Sequence, residues 1–435
     1  MPAMSDAGAG RWRAVLLALG LVLALAAGMT LRLACPNDIE WKADERWTFN
    51  QARLMAAGGA WPHVGMPSSV GTPNPPLSVW VFGGLDWISG AKTPPALARA
   101  VQGLNVAALL ALVLFAFAAV PRERREPWLW AAALWAVNPL AIIFERKIWP
   151  PSVLPLASVG LIAAWYCRRN AAAAFAWGLL GALMAQVHLG VAFFAAALVL
   201  WTLIHDRRLS AWKSWLAGSI LGALPAWSWF LLAFSHPDGS HAKIRLPLVH
   251  FFVRWITQPF GLGIEYTLGP RHMLDYLRGP LLAGHQTYLM AATHLVLTVA
   301  MLVIAVRAIR VVRANGWPGW RRIFLGSSAE TLLVDATLWG YGGMIALLTV
   351  FGVDSHRHYM IFIAPMLALW AALAVMYGDD ARGRAYARPI LIVLCLAQAI
   401  LSAGLLAYID RVAIIHGEYG ATWRAQQPGF VAPDR

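Results

Sequence analysis

The run from Arg13 to Ala34 reads RAVLLALGLVLALAAGMTLRLA, and it decides the class of this protein. Only two of its side chains, Arg13 and Arg32, are charged. A helix needs about 20 mostly apolar residues to cross a bilayer, and this run supplies them. The stretch Ala24-Leu25-Ala26 has the A-x-A pattern of a signal-peptide cleavage site, but it lies inside the apolar run. We therefore expect the segment to be retained as a membrane span.

The rest of the chain has the same character. Of its 435 residues, 59% are apolar and only 13% are charged. A soluble domain carries about 25% charged residues, so this composition excludes an ordinary cytosolic enzyme. The three cysteines are scattered singly, which also excludes a disulfide scaffold and a cysteine-based metal centre.

Further apolar runs predict an all-α polytopic membrane protein with about eleven transmembrane helices. The runs lie near 13–34, 97–120, 128–144, 151–167, 171–187, 189–205, 214–234, 287–306, 331–351, 359–377 and 389–409. We divide the chain into a catalytic transmembrane module, 1–210, and a variable transmembrane module, 211–435.

The basic residues predict the orientation. A formal net charge of +14 would suit nucleic acid, but the basic residues lie largely in short clusters between apolar runs, as in cytoplasmic loops. This pattern places the N-terminus inside and leaves two long loops, 35–96 and 235–286, and the tail 410–435 outside. The inside clusters are Arg11/Arg13, Arg122/Arg124/Arg125, Arg168/Arg169, Arg207/Arg208/Lys213, Arg307 to Arg322 and Arg382/Arg384/Arg388.

The sequence lacks the glycine motifs that bind nucleotides. Neither GxGxxG nor GxxxxGK[ST] occurs on the predicted inside. Energy for any chemistry must therefore come from an activated substrate that is reached from the membrane or from the outside.

The first outside loop opens with the acid-rich segment 36–48, PNDIEWKADERWT. Trp47, Leu54 and Met55 are spaced to share one face of a helix, which predicts an amphipathic helix in the membrane interface. Pro75 and Pro76 then begin a short apolar run, 77–88, which is too short to span and predicts a second interfacial or re-entrant helix.

Three of the four acids in this segment have structural interpretations. Asn37 and Glu40 have the spacing of a capping box, and Asp38 is an alternative N-cap. Glu45 lies three residues after Lys42, so the two are expected to form a surface ion pair.

Asp44 has no opposite charge three or four residues away, and Glu45 is rotated from it by about 100° on a helix. An unpaired acid on a helix at the membrane surface is the better candidate for a general base.

More polar residues emerge at three other turns on the predicted outside. Arg146 and Lys147 lie between the third and fourth spans, and His188 marks the turn between the fifth and sixth. The segment 354–359, DSHRHY, joins the ninth and tenth. With His356 and His358, the basic residues predict a cationic surface at headgroup depth that could bind phosphate. The alternative is snorkelling, in which basic residues near helix ends reach the interface only for solvation.

Asp44-Glu45-Arg46-Trp47-Thr48 resembles the first-loop acidic motif of the GT-C class of integral-membrane glycosyltransferases. The resemblance is to the protein O-mannosyltransferase-like group and the lipid A aminoarabinose transferases, and it covers about residues 10–210. In these families a Pro-Pro-aromatic segment follows the acidic motif. The corresponding segment of this chain is Asn74-Pro75-Pro76-Leu77-Ser78-Val79-Trp80. Arg146-Lys147-Ile148-Trp149 and Arg357-His358-Tyr359 resemble further landmarks of the class.

The resemblance implies a glycosyltransferase that moves a sugar, with inversion, from a polyprenyl-phosphate carrier to a cell-envelope acceptor. It implies a multi-pass protein of a bacterial inner membrane, among membrane lipids, with a periplasmic active site. Asp44 matches the catalytic base, and Arg146, Lys147 and Arg357 match positions facing the carrier phosphate. Candidate contacts to acceptor or substrate are Glu45, His188, His356, His358 and Tyr359. No cofactor is expected; Asp38, Glu40 and Asp44 could bind a divalent metal, but we do not expect one.

The chain departs from the family at two points. Asn74 stands where the aminoarabinose transferase has a lysine before Pro-Pro, so a phosphate contact is missing or moved. The tail 410–435 is too short to form the soluble C-terminal domain of several relatives.

Two other function classes compete with this interpretation. A transporter or lipid flippase would carry charges near the middle of its spans, where this chain offers only Asp335 and His294. An O-antigen ligase or polymerase would use a late outside loop, and loop 235–286 does contain suitable residues. These are His250, Arg254, Arg271 and His272.

Overall fold

The computed structural model describes residues 6–67, 73–206, 211–235, 250–324, 328–350, 356–376 and 381–431. Within these ranges the chain is almost entirely helical, with one small antiparallel hairpin, Leu281–Leu282 and His285–Gln286. The α-helices are α1 (Asp6–Leu33), α2 (Ala43–Ala56), α3 (Leu77–Ser89), α4 (Pro94–Ala118), α5 (Arg125–Val137), α6 (Pro139–Phe144), α7 (Leu154–Tyr166), α8 (Ala171–Val187), α9 (Gly190–His205), α10 (Trp212–Ala223), α11 (Trp227–Ser235), α12 (His250–Thr257), α13 (Ile264–Arg278), α14 (Leu289–Phe324), α15 (Ala329–Asp335), α16 (Gly342–Val350), α17 (Ala364–Met376) and α18 (Ala381–Val412). A π-helix, Ala336–Tyr341, joins α15 to α16.

The helices confirm an all-α polytopic membrane protein. In the described ranges, five helical segments are long and apolar enough to cross a membrane, and six shorter ones are also apolar. The five long segments are Pro94–Ala118, Trp212–Leu232, Leu289–Arg310, Ala329–Val350 and Ala387–Val412. The number eleven stays a prediction. Of the predicted loops, Arg207, Arg208, residues 236–249, Asp354 and Ser355 lie outside the described residues.

The predicted span 128–144 is two helices, because the chain breaks at Asn138. The Asn138 side chain accepts hydrogen bonds from the backbone N–H groups of Leu140 and Ala141, both at 3.1 Å. Pro139 follows at the first position of α6, where its missing N–H costs no hydrogen bond. This cap starts a new helix and ends the buried helix α5.

Helix α5 lies at the centre of the bundle. Every residue from Trp130 to Val137 is buried, as expected of a helix that packs on all sides. It packs against α1 and α4 and also against α17 and α18. These contacts join the two predicted modules, 1–210 and 211–435, in one hydrophobic core, and the division between them stays a prediction.

The short helices α2 and α3 form the predicted pair in the first loop. Helix α2 begins after Lys42, whose backbone N–H donates to the Glu45 carboxylate at 3.0 Å. The predicted capping box of Asn37 and Glu40 is therefore wrong. Glu40 precedes the helix and forms a β-bridge with Thr422.

The segment after α18, residues 413–424, pairs with the first loop, and we call it the strap. Trp41 N–H donates to the Ala421 carbonyl at 3.1 Å, and Trp423 N–H donates to the Ile39 carbonyl at 2.9 Å. On its other side, the N–H groups of Glu418 and Tyr419 donate to carbonyls of α13. The strap thus connects the start of α2 to α13.

Candidate active site

A cleft with a volume of about 160 Å³ lies where the start of α2, the turn 145–149, the segment 356–358 and the strap meet. It brings together Asp44, Glu45, Lys147, His356, Arg357 and His358, all predicted from the sequence as site residues. The other lining residues are Glu40, Lys42, Ile143, Phe144, Trp149, Thr267, Glu418 and Tyr419.

Asp44 lies in the first turn of α2 and is exposed in the cleft. Among the described residues, no side chain or backbone group forms a hydrogen bond or ion pair with its carboxylate. Both oxygens are therefore available to accept a proton from a bound molecule.

Glu45, one residue further, is buried and caps α2. The expected surface ion pair with Lys42 is wrong, because Glu45 accepts from the Lys42 backbone instead. Burial, together with the negative charge of Glu40, raises the pKa of Glu45 to about 7. The two neighbouring acids thus have different environments, and Asp44 is the one accessible to substrate.

Glu40 is buried between two lysines and forms ion pairs with Lys42 and Lys147. Lys147 is also buried, and its ammonium group lies 4.9 Å from the ring centre of Phe144 and 5.1 Å from that of Trp149. A snorkelling lysine would extend into the interface. Lys147 instead faces the cleft from a fixed position.

Arg357, which lies much later in the sequence, also lines the cleft, and like Lys147 it is held in a fixed position. Its guanidinium donates to the Glu418 carboxylate and to the Thr267 hydroxyl, both at 2.9 Å. The rings of Phe144 and Tyr266 lie 5.2 and 5.7 Å from the guanidinium carbon. Burial lowers the pKa of Arg357, and the charge of Glu418 opposes this shift.

The histidines form an aromatic wall. His358 stacks between His356 and Tyr359, with ring centres 5.4 and 4.7 Å apart. His188 meets His358 edge-on at 5.1 Å from behind, and neither His188 nor Tyr359 lines the cleft. Burial lowers the pKa of His188 to about 4 and that of His358 well below its ordinary value. Burial therefore disfavours the charged form of His358, and its contribution to a cationic surface stays a prediction.

Arg146 does not reach the cleft. It is buried and donates to the Ala34 and Cys35 carbonyls, at 2.5 and 2.8 Å, just after α1. The preceding residue, Glu145, forms a buried ion pair with Arg32 at 2.7 Å. These contacts fix the turn 145–149 against α1, and they direct Lys147 rather than Arg146 towards the cleft.

The acids considered for a metal do not gather at one point. Among the described residues, the ligand atoms of Asp38 lie within 4.8 Å of those of Cys35 and Asp410, and this group does not include Glu40 or Asp44. Arg424 pairs with both carboxylates of this group, Asp38 at 2.9 Å and Asp410 at 3.4 Å. Its guanidinium thus supplies a positive charge to these two carboxylates.

Lys42, Thr267, Glu418 and Tyr419 line the cleft and were missed by sequence reasoning. Glu418 and Tyr419 lie between Gly417 and Gly420 in the tail, and their predicted outside location was the only available signal. A Cβ atom on Gly417 would lie 2.5 Å from the Thr267 carbonyl oxygen, so this glycine allows the strap to approach α13.

Comparison with known proteins gives no match to a family model and no significant match to a curated sequence. Among solved structures, the chain is similar to apo ArnT from Cupriavidus metallidurans, with a TM-score of 0.51, 12% identity and coverage of 92% of this chain and 77% of that chain. For ArnT from the same organism bound to undecaprenyl phosphate, the TM-score is 0.50 at 13% identity, covering 91% of this chain and 77% of that chain.

The archaeal oligosaccharyltransferase AglB from Archaeoglobus fulgidus, in complex with an inhibitory peptide and a dolichol-phosphate, gives a TM-score of 0.45 at 14% identity, covering 96% of this chain and 59% of that chain. That score is too low to support an argument. The likeness to ArnT confirms that the chain has the GT-C-like polytopic membrane fold.

Proposed function

We propose that this protein is a membrane glycosyltransferase that moves a sugar from a polyprenyl-phosphate carrier to a cell-envelope acceptor. The observation that carries the proposal is the composition of the cleft. An accessible carboxylate without a partner among the described residues, Asp44, shares it with two buried cations, Lys147 and Arg357.

The chemistry is a single displacement. Asp44 accepts the proton of the acceptor nucleophile, whose oxygen forms a bond to the anomeric carbon of the sugar. The bond from that carbon to the carrier phosphate oxygen breaks, and polyprenyl phosphate leaves with the electron pair. Attack from the face opposite the leaving group inverts the anomeric centre. Lys147 and Arg357 stabilise the negative charge that develops on the phosphate.

The ArnT structure with undecaprenyl phosphate supports a polyprenyl-phosphate carrier for a chain of this fold. Such a donor carries its own activation, which agrees with the lack of nucleotide motifs. We place the reaction at the periplasmic face of a bacterial inner membrane, because the basic clusters predict that the first loop, which lines the cleft, lies on the side opposite the cytoplasm.

The remaining residues have supporting roles in this proposal. Glu40 orients the two lysines, and Arg146 fixes the first loop instead of binding phosphate. His356 and His358 face the cleft and remain candidates for acceptor contacts, while His188 and Tyr359 support His358 from behind.

Transfer activity of the purified protein tests the proposal. The donors are undecaprenyl-phosphate hexoses and pentoses labelled in the sugar, and the acceptor is a cell-envelope extract. Asp44→Asn keeps the shape and removes the base, so it should lower the rate by about 10²–10⁴ while donor binding persists. The control is Asp275→Asn, which removes an exposed acid outside the cleft.

Full activity of Asp44→Asn would overturn the assignment. The ligase alternative would then gain weight, because it places the chemistry near His250 and Arg254. These two line a neighbouring cavity of about 260 Å³ that also contacts Arg357.

A further inference from the structure

Each basic side chain of the cleft is paired with a carboxylate of the protein itself. Lys42 and Lys147 share Glu40, and Arg357 is paired with Glu418. A phosphate that approaches these cations therefore meets groups whose charge is already compensated. To bind the Nη1 group of Arg357, it has to compete with the Glu418 carboxylate.

Arg357 needs such a partner because only 3% of its side chain is exposed. A buried charge without a counter-ion costs several kcal/mol, so Arg357 has to be compensated whether or not substrate is bound. Thr267 accepts one hydrogen bond but carries no charge. In the described part of the cleft, Glu418 is the acid whose carboxylate contacts Arg357.

The Glu418 carboxylate can leave its ion pair more easily than the Glu40 carboxylate can. Its side chain is 57% exposed, whereas Glu40 is buried between two lysines. The Glu418 backbone is fixed, since its N–H donates to the Tyr266 carbonyl at 3.0 Å and its carbonyl accepts from the Lys42 ammonium at 2.5 Å. Rotation of the side chain alone would therefore take the carboxylate into water, and the strap would not move.

We propose that Glu418 is an internal counter-ion that occupies the phosphate position on Arg357 and is displaced when the lipid carrier binds. This inference rests on the proposed function. Glu418 would act through Arg357 as a residue that sets carrier affinity, and it would not take part in the chemistry. It keeps the buried guanidinium in place before binding and yields its hydrogen bond to the incoming phosphate.

The test is the affinity of the full chain in detergent for undecaprenyl phosphate, measured by direct titration. Glu418→Gln removes the competing charge and keeps an oxygen that can accept from Arg357. We expect it to bind the carrier about three- to tenfold more tightly, as for removal of a partly exposed competing ion pair. Loss of a merely structural contact would not tighten binding.

Two further variants complete the test. Asp275→Asn is the matched control, because Asp275 is 55% exposed, pairs with Arg411 at 3.1 Å and lies outside the cleft. It makes the same charge change and should leave the affinity unchanged. Glu418→Asp withdraws the carboxylate by one methylene and should give a smaller gain, which provides a second reading if Glu418→Gln folds poorly.

The outcomes separate the two proposals. If the parent protein does not bind undecaprenyl phosphate, the proposed function fails, and this inference fails with it. If the parent binds but the Glu418 variants bind equally or more weakly, Glu418 is an anchor of Arg357 and only this inference is overturned. An equal gain in Asp275→Asn would also overturn it, because the effect would then come from net charge.

Discussion

Arg32 and Glu145 form an ion pair at 2.7 Å in which both side chains are completely buried. Both side chains also form hydrogen bonds with other groups of the protein. Arg32 donates to the Gly28 and Ala136 carbonyls, and the Trp135 indole donates to Glu145 at 2.7 Å. The pair joins α1 to the turn that carries Lys147, so it connects the first membrane helix to the cleft.

Breaking this pair on one side should destabilise the protein severely. We expect Arg32→Met to lower the free energy of unfolding by about 3–5 kcal/mol, because Glu145 remains buried without a counter-charge. The double variant Arg32→Met/Glu145→Gln should recover a large part of this loss. Thermal unfolding of both variants in the same detergent checks the expectation, and equal stability of parent and Arg32→Met would contradict it.

Glu45 should make the stability depend on pH. Its pKa is raised from an ordinary value of 4.5 to about 7 in the folded protein. Between these values the folded state binds more protons than the unfolded state, so the contribution of Glu45 is full below about 4.5 and is lost as the pH rises through about 7. Glu45→Gln removes this dependence. Relative to the parent, the variant should gain stability between pH 5 and pH 8, as measured by thermal unfolding. A constant difference over this interval would show that Glu45 does not titrate there.

Loss of either buried cation of the cleft, Lys147 or Arg357, should weaken carrier binding more than loss of Arg146. Lys147→Gln and Arg357→Gln are each expected to weaken binding of undecaprenyl phosphate by about 1.5–3 kcal/mol for the lost charged hydrogen bond. Arg146→Gln should mainly reduce stability, because Arg146 contacts backbone carbonyls outside the cleft. Titrations at equal folded concentration distinguish these effects. A loss of affinity in Arg146→Gln as large as in Lys147→Gln would return Arg146 to the phosphate site.

The orientation can be tested with cysteines on the two predicted sides of the membrane. Cys167 is exposed beside the predicted inside cluster Arg168/Arg169, and Val431 is 83% exposed in the predicted outside tail. The first chain keeps Cys167 and lacks Cys35 and Cys395. The second chain lacks all three native cysteines and carries Val431→Cys. An impermeant thiol reagent applied to spheroplasts should label the second chain only. Labelling of Cys167, with Val431→Cys reacting only after permeabilisation, would reverse the topology.

The apolar runs predicted several helices almost to the residue. The runs 171–187 and 189–205 correspond to α8 and α9, Ala171–Val187 and Gly190–His205. Their ends are local features, since the Asn170 side chain caps α8 and accepts from Ala172 N–H at 2.8 Å. The unpaired state of Asp44 was also predictable locally, because no opposite charge lies three or four residues away from it in the sequence.

Features that depend on distant pairing were not predictable in this way. The spacing of Asn37 and Glu40 fits a capping box, but Glu40 pairs with Thr422 and Lys147, far away in the sequence. Arg146 and Lys147 are adjacent and equally basic. Only the position of α1 determines that Arg146 contacts the end of this helix, whereas Lys147 lines the cleft.

The strap gives the order of synthesis a consequence for the assembly of the cleft. Glu418 and Tyr419 follow α18, so they leave the ribosome only after every helix described here has been made. Until they pair with the first loop, the cleft lacks one wall and Arg357 lacks its carboxylate partner. A chain shortened before Glu418 would retain the whole helical bundle, yet the site would stay open. The cleft would therefore be complete only after the strap has paired with the first loop.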